Sequence, residues 1–256
     1  MCTVTFMPRP TGYCLAMNRD EKRTRAKGIP PELKNHHGRV MVYPSEPSGG
    51  TWIALNDNGV SFALVNWYSV TDKAKGNVVS RGVIIPSLGE ADSPALANAG
   101  LAPLPLDRIN PFRLVGVFPV SRQIIEWCWD LKQLTRKRHR WRAQQWISSG
   151  FDEPNAQKVR SKTFRLAQTQ RSSGTIGWLR RLHRSHSPHP GPFSTCMHRQ
   201  DAATVSYTEL CVFGNRARLC YSCVAPCCGA ELAVYTSKYL RLTFLSPRIP
   251  TPRCRR

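Results

Sequence analysis

Carboxylates are scarce in this chain: 16 Asp and Glu stand against 37 Lys and Arg among 256 residues, a formal charge of +21. Such an excess favours nonspecific association with nucleic acid or an anionic surface, weakens with salt, and says nothing about fold. Also lacking is any run near the roughly 18–20 apolar residues of a membrane helix. The longest runs, 60–65 and 114–120, are strand-sized, which excludes a chain that spans a bilayer with helices. The first ten residues carry prolines at 8 and 10 and no basic-then-apolar layout, so no secretory leader is expected and the cytoplasm is the expected compartment. No internal repeat is visible, and no recognised nucleic-acid motif accompanies the positive charge.

What is present bounds the class. An apolar share of 41% with 9% aromatics fits a folded globular chain, and 256 residues suit one large domain rather than two. Ten cysteines in a reducing compartment predict free thiols rather than a disulfide framework. The charge is unevenly placed: residues 1–100 hold 11 Lys and Arg against 8 acids, and residues 101–190 hold 17 against 5.

Along the chain, 2–6 alternates and 12–17 is a second apolar run after the Pro8/Pro10 turn, so the two read as paired strands. Residues 18–50 are polar and end in Ser48-Gly49-Gly50, which reads as a long loop. Thr51 to Leu55 and Val60 to Asn66, joined by Asn56-Asp57-Asn58-Gly59, form the clearest hairpin, with Trp52 a packing residue. Val83 to Ile85 is strand-like, and Pro94 opens a short helix. Phe112 to Val120 and Gln123 to Trp129 predict a further hairpin. A helix is expected over 155–168, capped at Asn155, and another over 175–182. Strands return at 193–197, 203–210 and 216–222. The single domain is placed at 1–228, with 229–256, rich in Pro and Arg, as a poorly ordered tail.

Four elements carry chemistry: Cys2; Asn18-Arg19-Asp20-Glu21; Gly49-Gly50-Thr51-Trp52; and Cys196-Met197-His198-Arg199 with Asp201, Thr204 and Ser206. In order and spacing they resemble the NRDE, or transport-and-Golgi-organisation, family, as do Asn66 and the segment Ser80-Arg81-Gly82. The resemblance runs from residue 2 to about 227. It implies an α+β fold, a four-layer αββα sandwich of the N-terminal-nucleophile (Ntn) hydrolase type, and a more distant similarity to the choloylglycine-hydrolase group of amidases. In those amidases the initiator Met is removed, the exposed Cys attacks an amide carbonyl, and an Asp after the second strand holds the nucleophile's surroundings. Cys2 and Asp20 match these positions. Asn66 and Arg199 are, by family position, oxyanion or carboxylate contacts. Met17 stands where the amidases carry an Arg, with Arg19 on the other side of Asn18.

Elementary chemistry agrees with such a centre. An α-amine titrates near 8 and a thiol near 8.5, so one residue can supply nucleophile and base. Arg19 beside the thiol favours thiolate, and Asp20 is placed to orient the amine if the first two strands pair. The candidate catalytic set is Cys2, Asp20, Arg19, Asn66 and Arg199.

Against each stands a plainer reading. Cys2 suits an edge strand, and Asn18 to Glu21 suits a polar turn. His183, His186 and His189 recur every third residue, but Pro188 and Pro190 deny them one helical face. Cys220, Cys223, Cys227 and Cys228 lack zinc-ribbon spacing, so no metal and no cofactor is expected. The run 136–142 mixes bases with Trp141 and suits a solvated face. Two functions remain open: hydrolysis of a small carbon–nitrogen amide through Cys2, or non-enzymatic binding of a hydrophobic or anionic ligand, as in lipid or haem handling or secretory-pathway organisation. The expected partner is a small-molecule substrate or ligand, with nucleic acid or an anionic membrane surface only through nonspecific charge. The oligomeric state is left open.

Overall fold

Strand β1 (Cys2–Arg9) turns through Pro10 and Thr11 into β2 (Gly12–Lys22), and the antiparallel register runs from Arg9↔Gly12 to Cys2↔Arg19. A strand's side chains alternate between faces, so this register sends Val4, Phe6, Tyr13, Leu15 and Met17 to one side and Met7, Cys14 and Ala16 to the other. Both faces are apolar, so both must be covered, and the rest of the fold supplies the two covers.

The computed structural model describes residues 2–36 and 38–238. Its second sheet is a meander: β3 (Ile29–His36), β4 (Arg39–Ser45), β5 (Ile53–Asn56), β6 (Ser61–Asn66), β7 (Phe112–Phe118), β8 (Gln123–Trp129) and β9 (Leu134–His139), adjacent in that order. The chain then returns to the first sheet through β10 (Gln144–Ser148). Helices α2 (Glu153–Gln168) and α3 (Ile176–Arg184) follow, then β11 (Ala202–Phe213), β12 (Arg216–Ser222) and β13 (Ala233–Lys238). The first sheet has the order β10-β1-β2-β11-β12-β13, and every strand pairing in both sheets is antiparallel.

The sheets face each other across Val4, Phe6, Leu15, Met17 and Leu210 on one side and Ile53, Leu55, Val65, Val115 and Val117 on the other. Phe164, Trp178, Leu179 and Leu182 of α2 and α3 cover the outer face of the first sheet. Ile84, Ile85 and Leu88, with Ala97 and Leu101 of α1 (Pro94–Leu101), cover the second. This is the four-layer αββα sandwich. Trp178 is buried and its Nε1 donates to the Ala167 carbonyl at 2.7 Å, which ties α3 to α2. Truncation to Ala at such a position costs about 3–5 kcal/mol. No helix among the described residues is long and apolar enough to cross a membrane.

The hairpin at 51–66 forms as its turn residues require. Gly59 sits at φ +74°, Asn56 N–H donates to Val60 O, and Gly59 N–H donates to Asn56 O. Helix α2 begins earlier than expected, with Asp152 rather than Asn155 as its cap, accepting from the Asn155 N–H. Thr175 caps α3 in the same way.

Several expectations are corrected. Residues 18–50 are mostly not a loop: β2 runs to Lys22, and β3 and β4 occupy 29–36 and 39–45. β3 is an edge strand, exposed along most of its length, so it carries Pro, Glu and Lys instead of an apolar alternation. The basic stretch at 134–139 hides the opposite edge, β9, for the same reason. Residues 83–85 carry no strand, since 81–83 make a 3₁₀ turn and 84–85 continue as turn, and 193–197 carry no strand. The sheet also continues past 228, because β13 pairs with β12 from Tyr221↔Ala233 to Arg216↔Lys238; the remainder of the expected tail lies outside the described residues.

Candidate functional site

Pairing of β1 with β2 and of β1 with β10 sets Cys2 between Arg19 and Ser148 at one end of the first sheet. Alternation then sends Arg19 toward the second sheet and Asp20 toward the helices. A cleft of about 160 Å³ opens there, lined by Cys2, Arg19, Asp20, Glu46, Asn66 and Arg81 among others. Four of the five sequence candidates therefore meet. The fifth, Arg199, lies elsewhere: its guanidinium stacks 4.7 Å from the Phe151 ring and pairs with Asp201 at 2.8 Å.

Cys2 is buried. Burial pushes its thiol up; the neighbouring Asp20 carboxylate adds to this, while the Arg19 guanidinium and a hydrogen bond from the Asp20 backbone amide pull it down. The site thus contains the groups that favour thiolate, set against a desolvation that opposes it.

Arg19 is almost fully buried, stacked 4.3 Å over Trp52, and its Nη2 donates to Glu46 Oε1 at 2.8 Å. Arg25 donates to both oxygens of the same Glu46, at 2.9 and 2.8 Å, and pairs with Glu21 at 3.4 Å. One wall of the cleft is therefore an alternating row of two arginines and two glutamates. Trp52, expected only to pack, is the platform for one of those arginines, a contact that stacking on a desolvated guanidinium favours.

Asp20 is fully buried and doubly held. Arg160 Nη1 donates to its Oδ2 at 3.2 Å and Thr204 Oγ1 to its Oδ1 at 2.6 Å. Arg160, itself fully buried on α2, also donates to Thr3 Oγ1 at 2.7 Å and to the Pro192 carbonyl at 3.2 Å. A buried carboxylate demands such partners, since leaving it unpaired costs several kcal/mol. Its carboxylate thus braces the strand end, while its backbone amide is the part that faces Cys2 sulfur.

The far wall comes from the segment at 78–82. Thr51 N–H donates to Gly82 O at 3.0 Å, and a Cβ on either Gly50 or Gly82 would meet the other's Cα at 2.8 Å, so only glycines permit this approach. It delivers Arg81 into the cleft, where Arg81 Nη1 donates to Pro111 O at 2.9 Å and burial lowers the guanidinium's proton affinity. Asn66 Nδ2 donates to Tyr68 Oη at 2.8 Å.

Glu46 and Arg160 escaped the sequence reading. Glu46 sits between prolines in a stretch expected as loop, and Arg160 is one of several bases on α2. Arg81 was visible only through its Arg-Gly pair.

Residues 1–125 match the family described as Transport and Golgi organisation 2, which bears out the resemblance read from Cys2, Asn18 to Glu21 and Gly49 to Trp52. No curated protein matches the chain. Among solved structures, penicillin V acylase from Agrobacterium tumefaciens is similar over 94% of this chain and 87% of its own, with 10% identity and a TM-score of 0.55. The mutant C2A conjugated bile acid hydrolase from Clostridium perfringens is similar over 95% of this chain and 98% of its own, with 9% identity and a TM-score of 0.51. The fold is of the Ntn-hydrolase type.

Proposed function

We propose, from the likeness of residues 1–125 to the Transport and Golgi organisation 2 family and the Ntn-hydrolase fold, that this chain hydrolyses a small carbon–nitrogen amide with Cys2 as nucleophile. The observation that carries the reading is the convergence of Cys2, Arg19, Asp20, Asn66 and Arg81 on one cleft.

In this reading Met1 is removed, and the freed α-amine of Cys2 takes the thiol proton. The thiolate forms a C–S bond to the amide carbon, and the developing oxyanion is met by the Asn66 amide and the Arg81 guanidinium. Collapse breaks the C–N bond, the α-ammonium gives its proton to the leaving amine, and water then cleaves the thioester to release the acid. Asp20 is a positioning residue, since Arg160 and Thr204 occupy its carboxylate. Arg199 has no part. The cleft is about 160 Å³, below the roughly 300 Å³ at which drug-sized pockets begin, which suits a small substrate.

A second reading is non-enzymatic binding of an anionic or hydrophobic ligand. It is favoured by Met17, buried in the core between the sheets where related amidases carry an arginine, and by Arg19, already engaged by Glu46. Turnover of a panel of short N-acyl amides by the purified protein and Cys2→Ala separates the two, read alongside intact mass and iodoacetamide labelling. Loss of Met1, selective alkylation of Cys2 and turnover absent from Cys2→Ala are expected. Retained Met1 with turnover indifferent to Cys2 removes the hydrolase reading.

A further inference from the structure

His186, Cys196, His198 and Cys227 each offer one donor atom to a common space, and the four atoms lie within 4.8 Å of one another. They come from three places: the segment after α3, the segment before β11, and the 3₁₀ turn at 226–228 after β12. Neither the histidine triplet at 183–189 nor the cysteine run at 220–228 has metal-binding spacing alone, and only the fold mixes one member of each with Cys196 and His198.

The two distances from His198 to sulfur are close to those of ligands around one ion, and the His186–His198 approach is a few tenths of an ångström shorter. With Zn–S near 2.3 Å and Zn–N near 2.0–2.1 Å, tetrahedral geometry puts N and S about 3.6 Å apart and two N about 3.4 Å apart. His198 Nε2 lies 3.7 Å from Cys196 Sγ, 3.5 Å from Cys227 Sγ and 3.0 Å from His186 Nε2. A single imidazole nitrogen has either one proton or one lone pair, so it cannot bond three such neighbours at once. A cation among them satisfies all four donors together.

We propose that these four side chains bind one Zn²⁺ in a closed, structural Cys₂His₂ site. Two thiols enter as thiolates and release two protons, and with two neutral imidazoles the centre carries no net charge. That is an advantage on a chain with so many cations.

The backbone holds the donors in place. Cys196 N–H donates to Ser185 O at 3.0 Å, His198 N–H to Gly191 O at 3.2 Å, and Ser194 Oγ to Cys196 O at 2.6 Å. Residues 185–201 run without helix or strand, a length that compact domains seldom leave unstapled. The ion staples this stretch to the turn after β12. It also steadies Met197, whose N–H donates to Thr204 Oγ1, the group that holds Asp20. Zinc would bind here whether or not Cys2 is a nucleophile.

The test is metal analysis of the full chain, purified without chelator from zinc-supplemented medium, followed by Co²⁺ exchange and visible spectroscopy. We expect about one zinc per chain, tetrahedral Co²⁺ bands with thiolate charge transfer, and at least a tenfold loss of zinc in Cys196→Ser and His198→Asn. Cys228→Ser, which alters the exposed neighbour, keeps its zinc. Wild-type protein without tightly held metal, a mapped Cys196–Cys227 disulfide, or zinc that depends on Cys228 and not Cys227 would overturn the site. These readouts do not involve turnover, so they fail or succeed separately from the hydrolase reading.

Discussion

Thr204 Oγ1 donates to Asp20 Oδ1 at 2.6 Å and accepts from the Met197 N–H at 2.8 Å, joining the cleft to the segment before β11 through one hydroxyl. Thr204→Val keeps the shape and removes both bonds, one from the buried Met197 amide and one from the Asp20 carboxylate. The expected loss is about 2–4 kcal/mol in urea unfolding, with faster Cys2 alkylation as the strand end loosens. Unfolding and alkylation both matching wild type would show that the link is not used.

Arg160 and Asp20 form a fully buried pair at 3.2 Å. Arg160→Met takes the cation from a buried carboxylate and costs about 3–5 kcal/mol. Adding Asp20→Asn removes the uncompensated charge, so the double variant should be more stable than Arg160→Met alone. A fully additive cycle in chemical unfolding would refute the coupling.

His183 is buried on α3, with Nδ1 2.9 Å from Asn18 Oδ1 and Nε2 3.0 Å from Thr5 Oγ1. Asn18 Nδ2 donates to the His183 and Thr195 carbonyls, so Oδ1 is the acceptor and Nδ1 carries a proton. Burial first, and then Arg160, push its pKa from 6.5 down to about 3. Between those values the unfolded chain binds a proton that the folded chain refuses, so stability falls as pH drops from 6.5 toward 3. His183→Gln should flatten part of that slope, read as midpoints of urea unfolding at stepped pH; an unchanged slope would remove His183 as its source.

Gly50 and Gly82 touch backbone to backbone. Gly82→Ala should push the 78–82 segment outward and withdraw Arg81 from the cleft, with a stability loss of about 1–3 kcal/mol. Hydrogen exchange at Thr51, whose N–H donates to Gly82 O, reports the separation directly. Protection equal to wild type would contradict it.

The basic edge strand β9 carries Arg136, Lys137 and Arg138 outward. Retention on heparin at low salt should vanish by about 150–200 mM salt, as a nonspecific phosphate-like attraction does. Retention well beyond that range would point to a built anion site.

Local pattern made much of this protein legible. Alternation at 2–6 and 12–17, the Asn56 to Gly59 turn and the paired runs at 112–129 each need only their own neighbours to define a strand or a turn, so the sequence determined them, along with the placing of Cys2 beside Arg19. Edge strands at 29–36 and 134–139 hid because an exposed edge carries charge instead of an apolar rhythm. The rest depended on residues far apart in the chain. Glu46 on Arg19, Arg160 on Asp20, Arg81 across from Cys2, and His186, Cys196, His198 and Cys227 around one point were decided only by the tertiary structure. Pairing of buried charges and convergence of ligands are set by which strands and helices lie side by side, and no local spacing records that.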